Sequence, residues 1–386
     1  MLTKGIQLTL LIGPVVVFPA PRVVMDALES VEVKVSSSAS SPKNNDSGFK
    51  LTFQFNSKSD LNQLFLIAGA QGSSPATPAL RMILVASVNG TPQPLFDGVM
   101  TSIEVQPGSQ GSAGTVTVLG VDLTRMMDTI DWSGLPYPAL PIEGRVALIC
   151  AKYALYGVIP LVIPVLFPDI PVPIESIPAQ EGTDLEYIMQ LARRVGYVFY
   201  VEPGPVAGTN IAYFGPEIKV GIPQPALNVD MDALTNVESL SFSLDADKGT
   251  LPVVLIQNQM TRIPIPIPIP KLNPLQPPLG ALSTPIANVR VLSGTAKLKP
   301  QHALAAGVKA AAASADAVNA RGSLDVVRYG HVLKARQLVG VRGVGVAFDG
   351  LYFVKSVTST LKRGSFKQSF ELSRNGIVSL TPKVLP

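Results

Sequence analysis

The chain has 386 residues, enough for two or three domains that each bury a core. Only 15% of the residues are charged while 47% are apolar, and the mean hydropathy is +0.33, so a lone molecule would hold large apolar patches in water. The net charge of +4 includes no basic run, and the few aromatic residues do not interleave with Lys or Arg, so a nucleic-acid groove is unsupported. In chain order, Leu8 to Pro21 is apolar but broken by Gly13 and Pro14, which suits an early strand better than a signal peptide. Residues 29–36, with Val31, Val33 and Val35, and residues 49–55, with Phe49, Leu51, Phe53 and Phe55, alternate with period two as half-buried strands do. A polar loop, 36–48, joins them. Strands follow at Met82–Val88, Gly98–Val105 and Thr115–Leu119, the last two linked by a long hairpin tip, Gln106–Gly114. The expected fold class is mainly β with α insertions. A first antiparallel β-barrel domain is expected over 1–121, completed by about 226–250.

Residues 122–225 read as a small α/β insertion. Asp122 can cap a short helix, Leu123–Ile130, and a second is expected over Gly144–Tyr156. The best-marked helix is Thr183–Val195. Thr183 and Glu186 have capping-box spacing, Leu185, Ile188, Met189, Ala192 and Val195 form one apolar stripe, and Gly196 supplies the stop. Strands Tyr197–Glu202 and Asn210–Phe214 come next. Between the helices, Gly157–Pro178 is the most apolar stretch of the chain. Its prolines at 160, 164, 168, 171, 173 and 178 rule out a transmembrane helix, and no membrane insertion is expected.

A second β-barrel domain is expected over 251–386, preceded by a strand at 239–245 and beginning with one at 252–257. A Pro-rich arm covers 263–278, where Ile263, Ile265, Ile267 and Ile269 alternate with proline. That pattern fixes an extended backbone and forbids a central strand. It reads either as a stiff surface connector or as an arm that lays its isoleucines on a neighbouring subunit. An Ala-rich helix is expected over 302–320, and strands again from Asp325 on, with Arg328–Gln337, Gly350–Thr360 and Phe366–Ser373 the clearest.

The outer thirds echo one another. Phe96-Asp97-Gly98 recurs as Phe348-Asp349-Gly350; two residues are then added, after which Ser102-Ile103 falls on Ser356-Val357 and Val116/Val118 on Phe370/Leu372. Both copies read as strand, tip, strand, which points to a duplicated β module. Asp97 and Asp349 are expected to brace their turns by accepting backbone N–H bonds.

Signals for chemistry are sparse. His302 and His331 lie far apart and read as surface or helix-end residues, with no ligand spacing around them, so no metal site is expected. There is no Gly-x-Ser-x-Gly and no Gly-Lys, and Gly343-Val344-Gly345 lacks the third glycine of a dinucleotide loop. The nearest carboxylate pairs, Asp128/Asp131 and Asp245/Asp247, read as solvated turn residues. Arg193 and Arg194 suit the end of their helix. The single cysteine, Cys150, leaves no intrachain disulfide, and folding and assembly in the bacterial cytoplasm fit. No catalytic residue and no cofactor are expected.

Three stretches resemble the late-control D family of tail proteins, which includes the phage T4 baseplate hub and the N-terminal part of type VI spike proteins. They are Leu95–Val99 through Thr115–Leu119 to Gly120–Leu123 with Met127-Asp128; Gly182–Leu185 with Leu191–Tyr197 and Phe199–Val201; and the closing hairpin Gly350–Arg374. The resemblance implies a homotrimer of subunits with two related barrels each, so that six similar domains join a threefold spike below to a sixfold inner tube above, among other baseplate proteins. Because the chain ends soon after its last hub strand, the spike is expected to be a separate polypeptide. The Pro-rich 157–178 segment and plain ending resemble the extracellular contractile systems. The alternative reading is a cell-wall-degrading or carbohydrate-binding tail component.

Overall fold

The structure, a computed structural model, describes residues 5–37, 47–55, 79–108, 113–165, 171, 173–174, 177–244, 249–257, 261, 263–270, 277–282, 286–297 and 300–380. Parts of the expected loop 36–48, the tip 106–114, the stretch 157–178 and the arm 263–278, and both Asp245 and Asp247, lie outside these residues.

The first third is β, as its period-two pattern dictates. Its elements are β1 (Gln7–Gly13), β2 (Phe18–Pro19), α1 (Arg22–Ala27), β3 (Leu28–Ser36), β4 (Gly48–Phe55), β5 (Arg81–Val88), β6 (Thr91–Gln106) and β7 (Gly114–Asp122). Alternate residues of β4 and β7, among them Leu51, Phe53, Val116 and Val118, point into the core. The insertion follows with α2 (Thr124–Met127), α3 (Ile142–Ala151), β8 (Val158–Val162), α4 (Asp184–Val195), β9 (Val198–Pro203) and β10 (Asn210–Gly215). The last part contains β11 (Gln224–Asn228), β12 (Val237–Leu244), β13 (Thr250–Gln257), β14 (Pro264–Pro268), β15 (Gly280–Leu282), β16 (Asn288–Val291) and α5 (Pro300–Ala315). After these come β17 (Asp316–Asp325), α6 (Val326–Tyr329), β18 (Leu338–Arg342), β19 (Gly350–Lys362), β20 (Ser365–Asn375) and β21 (Ile377–Ser379).

Among the described residues one large, mainly antiparallel sheet dominates, running β12-β17-β20-β19-β3-β4-β7-β6-β5-β1-β2, with β18 beside β19 and β11 beside β18. This path is two copies of one order. The first half reads β1-β5-β6-β7-β4-β3 and the second β11-β18-β19-β20-β17-β12, with the strands following in the same chain order in both. Two of the irregularities repeat as well. The register slips between Met100 and Ser102 in β6 and between Val354 and Ser356 in β19, and again between Leu28 and Ser30 in β3 and between Val237 and Ser239 in β12. Bulges at matching places are costly to acquire twice by chance. The halves also differ: β1 runs antiparallel to β5, whereas β11 runs parallel to β18, and the slips between Leu84 and Val85, between Gln224 and Leu227 and between Asp316 and Val318 have no counterpart among the described residues.

The mainly β class stands, but four sequence-based expectations need correction. The halves are not two separate barrels: β3 pairs with β19, both halves feed one apolar core, and no ladder closes the sheet on itself among the described residues. Strands β11 and β12, expected to complete the first domain from 226–250, belong to the second half, where they pair with β18 and β17. The helix expected over 302–320 stops at Ala315, because residues from Asp316 on are claimed by β12 on one side and β20 on the other; tertiary pairing overrides alanine propensity. The strand expected over Arg328–Gln337 is instead α6 and a loop. Asp325 accepts the N–H groups of Val327 and Arg328 as a helix cap, Gly330 ends the turn at φ 82°, and the Gln368 side chain bonds both Leu333 backbone groups in place of a ladder.

Helix α4 begins with the expected capping box, in which Thr183 Oγ1 accepts from Glu186 N and Glu186 Oε2 accepts from Thr183 N. Gly196 ends it at φ 76°, and a Cβ there would sit 2.8 Å from the Ala305 carbonyl oxygen of α5. Gly196→Ala is therefore expected to lower stability by about 1–2 kcal/mol in denaturant unfolding, more than the ~1 kcal/mol of Thr183→Ala, since it meets both backbone strain and a neighbouring helix.

Candidate assembly surfaces

The Phe-Asp-Gly echo turns out to hold two unlike sites. Phe96, Asp97 and Gly98 lie within β6, whereas Phe348 and Asp349 precede β19 and only Gly350 is in it. Asp349 does brace its turn, accepting from Val344 N at 2.9 Å. Asp97 does not. It is buried and takes Arg81 Nε at 2.7 Å, Arg81 Nη2 at 2.5 Å and Asn210 Nδ2 at 2.8 Å. Arg81 Nη2 also reaches the Gly208 carbonyl, so this bidentate pair fastens the insertion to the β5–β6 hairpin. The true correspondence follows the bulges: Ile103 stands opposite Val118, and Val357 opposite Phe370. Val118 thus matches Phe370 and not Leu372. The second tip is two residues shorter, and a shift of two preserves the buried face, which is why the sequence pattern survived it.

Further charged groups tie side chains together within the insertion and where the parts of the molecule meet, and their roles were not read from the sequence. Asp184, fully buried at the start of α4, accepts from Lys152 Nζ at 3.0 Å, Tyr153 Oη at 2.8 Å and Gln180 Nε2 at 2.8 Å. Asp316, at the start of β17, binds Lys219 Nζ at 2.9 Å and Lys355 Nζ at 3.2 Å, tying the end of the insertion to the second half. Burial pushes the Asp316 carboxyl up, but the two ammonium groups together outweigh it and hold it below the usual carboxylate range. Arg336 stacks on Tyr200, 4.0 Å from the ring centre, and bonds Glu202 and the Ser36 carbonyl, so one side chain touches all three parts of the chain. Arg374, closing the Leu-Ser-Arg stretch, is buried and donates to the Ala347, Phe348, Asp349 and Gly376 carbonyls while covering Tyr352. A charged residue at the edge of an apolar run, as Arg81 is before Met82–Val88, is the sequence signal that such knots leave.

The proline–isoleucine segment is an edge strand: β14 pairs with β13, which pairs on its other side with β16. Ile269 is buried and Ile267 partly buried against Val254 and α5, so these two serve the chain's own small core and are not free for a neighbour. Ile263 and Ile265 remain 61% and 47% exposed. Exposed apolar side chains also mark β8, whose Ile159 and Leu161 face water, and the loop residues Ile218, Val220 and Ile222. His302 stands at a helix end, in the first turn of α5, and is buried there, while His331 is exposed beside Tyr329. Among the described residues no cluster of His, Cys, Asp or Glu could hold a metal, and no helix is long and apolar enough to cross a membrane. Cys150 is buried, and burial together with the nearby Asp184 charge pushes its thiol up to about 12.

No protein-family model matches the sequence, and no curated protein matches it. Solved structures do. A tail protein from Neisseria meningitidis aligns with a TM-score of 0.61 at 15% identity, over 99% of this chain and 100% of that one. The 43 kDa tail protein of prophage MuSo2 from Shewanella oneidensis aligns with 0.58 at 14% identity, over 96% and 97%. A chain of the lidded Francisella PdpA–VgrG complex aligns with 0.55 at 9% identity, over 100% of this chain and 55% of that one. The chain therefore has the fold of these phage-tail and VgrG-complex proteins.

Asp97→Asn leaves the Arg81 charge buried without its counter-ion and is expected to cost about 3–5 kcal/mol in denaturant unfolding, part of it regained when Arg81→Met is added. Asp316→Asn is expected to cost about 3 kcal/mol at neutral pH. Because the folded carboxyl lies below its unfolded value, that contribution is complete above the ordinary carboxylate range and is lost as pH falls through the depressed pKa. The stability gap between wild type and Asp316→Asn should therefore be constant from pH 7 to about 5 and shrink below ~4.

Proposed function

We propose that the chain is a structural baseplate-hub subunit of a contractile, phage-tail-like injection system, acting as a homotrimer that joins a threefold spike to a sixfold inner tube. The observation that carries this reading is the duplication within one sheet: two halves with the same strand order and two bulges at matching places. Three copies of such a chain present six similar modules, which is what a part joining threefold to sixfold symmetry requires. The shared fold with tail proteins and with a chain of a PdpA–VgrG complex supports the setting, and VgrG is the kind of spike partner the reading implies. Low charge and the exposed apolar residues of β8 and the 218–222 loop fit burial against partners, including the tube protein and other baseplate proteins. The function is mechanical. Rigid ladders and buried ionic knots transmit load, and the reading assigns no bond chemistry, no cofactor and no metal to the chain. Assembly in the bacterial cytoplasm into an extracellular-type particle belongs to the same proposal and draws on the resemblance of the 157–178 segment.

The test is the native mass of the purified chain, alone and with its spike protein. Three chain masses alone and a comigrating complex with the spike are expected. A single chain at every concentration, or turnover of peptidoglycan that one Asp-to-Asn change abolishes, would overturn the reading.

A further inference from the structure

The two halves of the sheet are alike, but they are not equally covered. In the second half, β18 pairs with β19 only as far as Phe353, and beyond the bulge the same edge of β19 is taken by β3, from Ser356 to Lys362. In the first half, β5 pairs with β6 only as far as Val99. Beyond the matching bulge no strand among the described residues takes the edge of β6 at 101–106, and Thr101, Ser102, Glu104, Val105 and Gln106 are exposed. The counterpart of β3 is β12. It ends the sheet path, bonded to β17 on one side and to no strand on the other among the described residues. Each half thus has a donor edge and an acceptor edge, and inside the chain only one of the two possible joints is made.

We propose that the missing joint is made between copies: β12 of one molecule adds to the 101–106 edge of β6 in the next, as β3 adds to β19 within the chain. The proposal rests on the trimeric reading and names the surface through which it is built.

The internal joint sets the register. Val35 stands opposite Val357 and Val33 opposite Ser359. Carried over through the matched bulges, Leu244 falls opposite Ile103 and Phe242 opposite Val105. Apolar residues therefore meet apolar residues, and Glu104 and Gln106 meet the small Ser243 and Ser241, with no like charges opposed. The matching positions differ in exposure as an unmade joint requires: in the made joint Ser359 is 5% exposed and Val35 is half-buried, whereas their counterparts Val105 and Leu244 are 38% and 51% exposed. Phe242 and Ile103 already lean on the main core, so pairing would extend that core across the boundary. Neither 101–106 nor 237–244 contains proline, so both edges keep every N–H donor, which is the condition an isolated protein usually avoids on an open strand. The joint is head-to-tail: each copy gives one edge and receives at the other. Such a joint closes into a ring when its turn divides the circle.

Two variant sets test this. Val105→Lys and Leu244→Lys place charge at exposed sites of the joint, and Val206→Lys is an exposed control in the insertion. The joint variants are expected to dissociate at concentrations at least 10-fold above wild type in mass measurements, with circular dichroism and unfolding midpoint near wild type; the control should assemble normally. Separately, Ile103→Cys and Leu244→Cys chains are mixed and treated with a short bismaleimide. A cross-link is expected in the mixture and in neither chain alone, the native Cys150 being buried. An undisturbed trimer in both lysine variants together with no cross-link in the mixture would overturn the edge joint while leaving the trimer standing. A wild-type chain that never associates would overturn both.

Discussion

The pairing of β3 with β19 is the constraint on which the molecule depends. Without it the chain would hold two six-stranded modules, each with its own donor and acceptor edge; with it, they share one ladder and one apolar core reaching from Leu51 and Val118 to Phe370 and Tyr352. A joint of backbone hydrogen bonds is directional, so it fixes the relative twist and register of the halves in a way that apolar packing alone would not. Everything inserted between the strands is placed by this frame.

The insertions are secured differently. The α/β unit has its own core around Ile188, Phe199 and Phe214, which Val99 of β6 joins, and it also meets the sheet through charged groups withdrawn from water. Arg81 and Asp97 with Gly208 and Asn210, Lys219 with Asp316, and Arg336 across Tyr200 each bridge parts that the chain places far apart. A buried pair adds little net stability compared with apolar residues of the same shape, but a misplaced one is heavily penalised. These knots thus favour one arrangement of the parts over near alternatives.

Local signals were legible where the physics is local. The capping box at Thr183 and Glu186, the stop at Gly196 and the alternation in β3 and β4 need only near neighbours, and they appear where the pattern put them. The three-residue Phe-Asp-Gly match was the weaker clue to the duplication, since its two aspartates do unlike things; the periodicity beyond it was the stronger one. Residues 316–320 misled for the opposite reason. Alanine favours helix in isolation, but strands on both sides of β17 offered hydrogen bonds that no propensity reports.

The amino-acid order by itself determined that this is a mainly β protein with capped helices in its middle, rich in apolar and poor in charged residues, and built on a repeated motif. Those properties follow from composition and from spacings of two and 3.6 residues along the chain. Only the tertiary structure decided that the repeats fuse into one sheet, that β11 and β12 belong to the second half, and that Asp97 binds Arg81 and Asn210. Each of these is a choice of partner between distant segments, and a strand carries the same alternation whichever neighbour it takes.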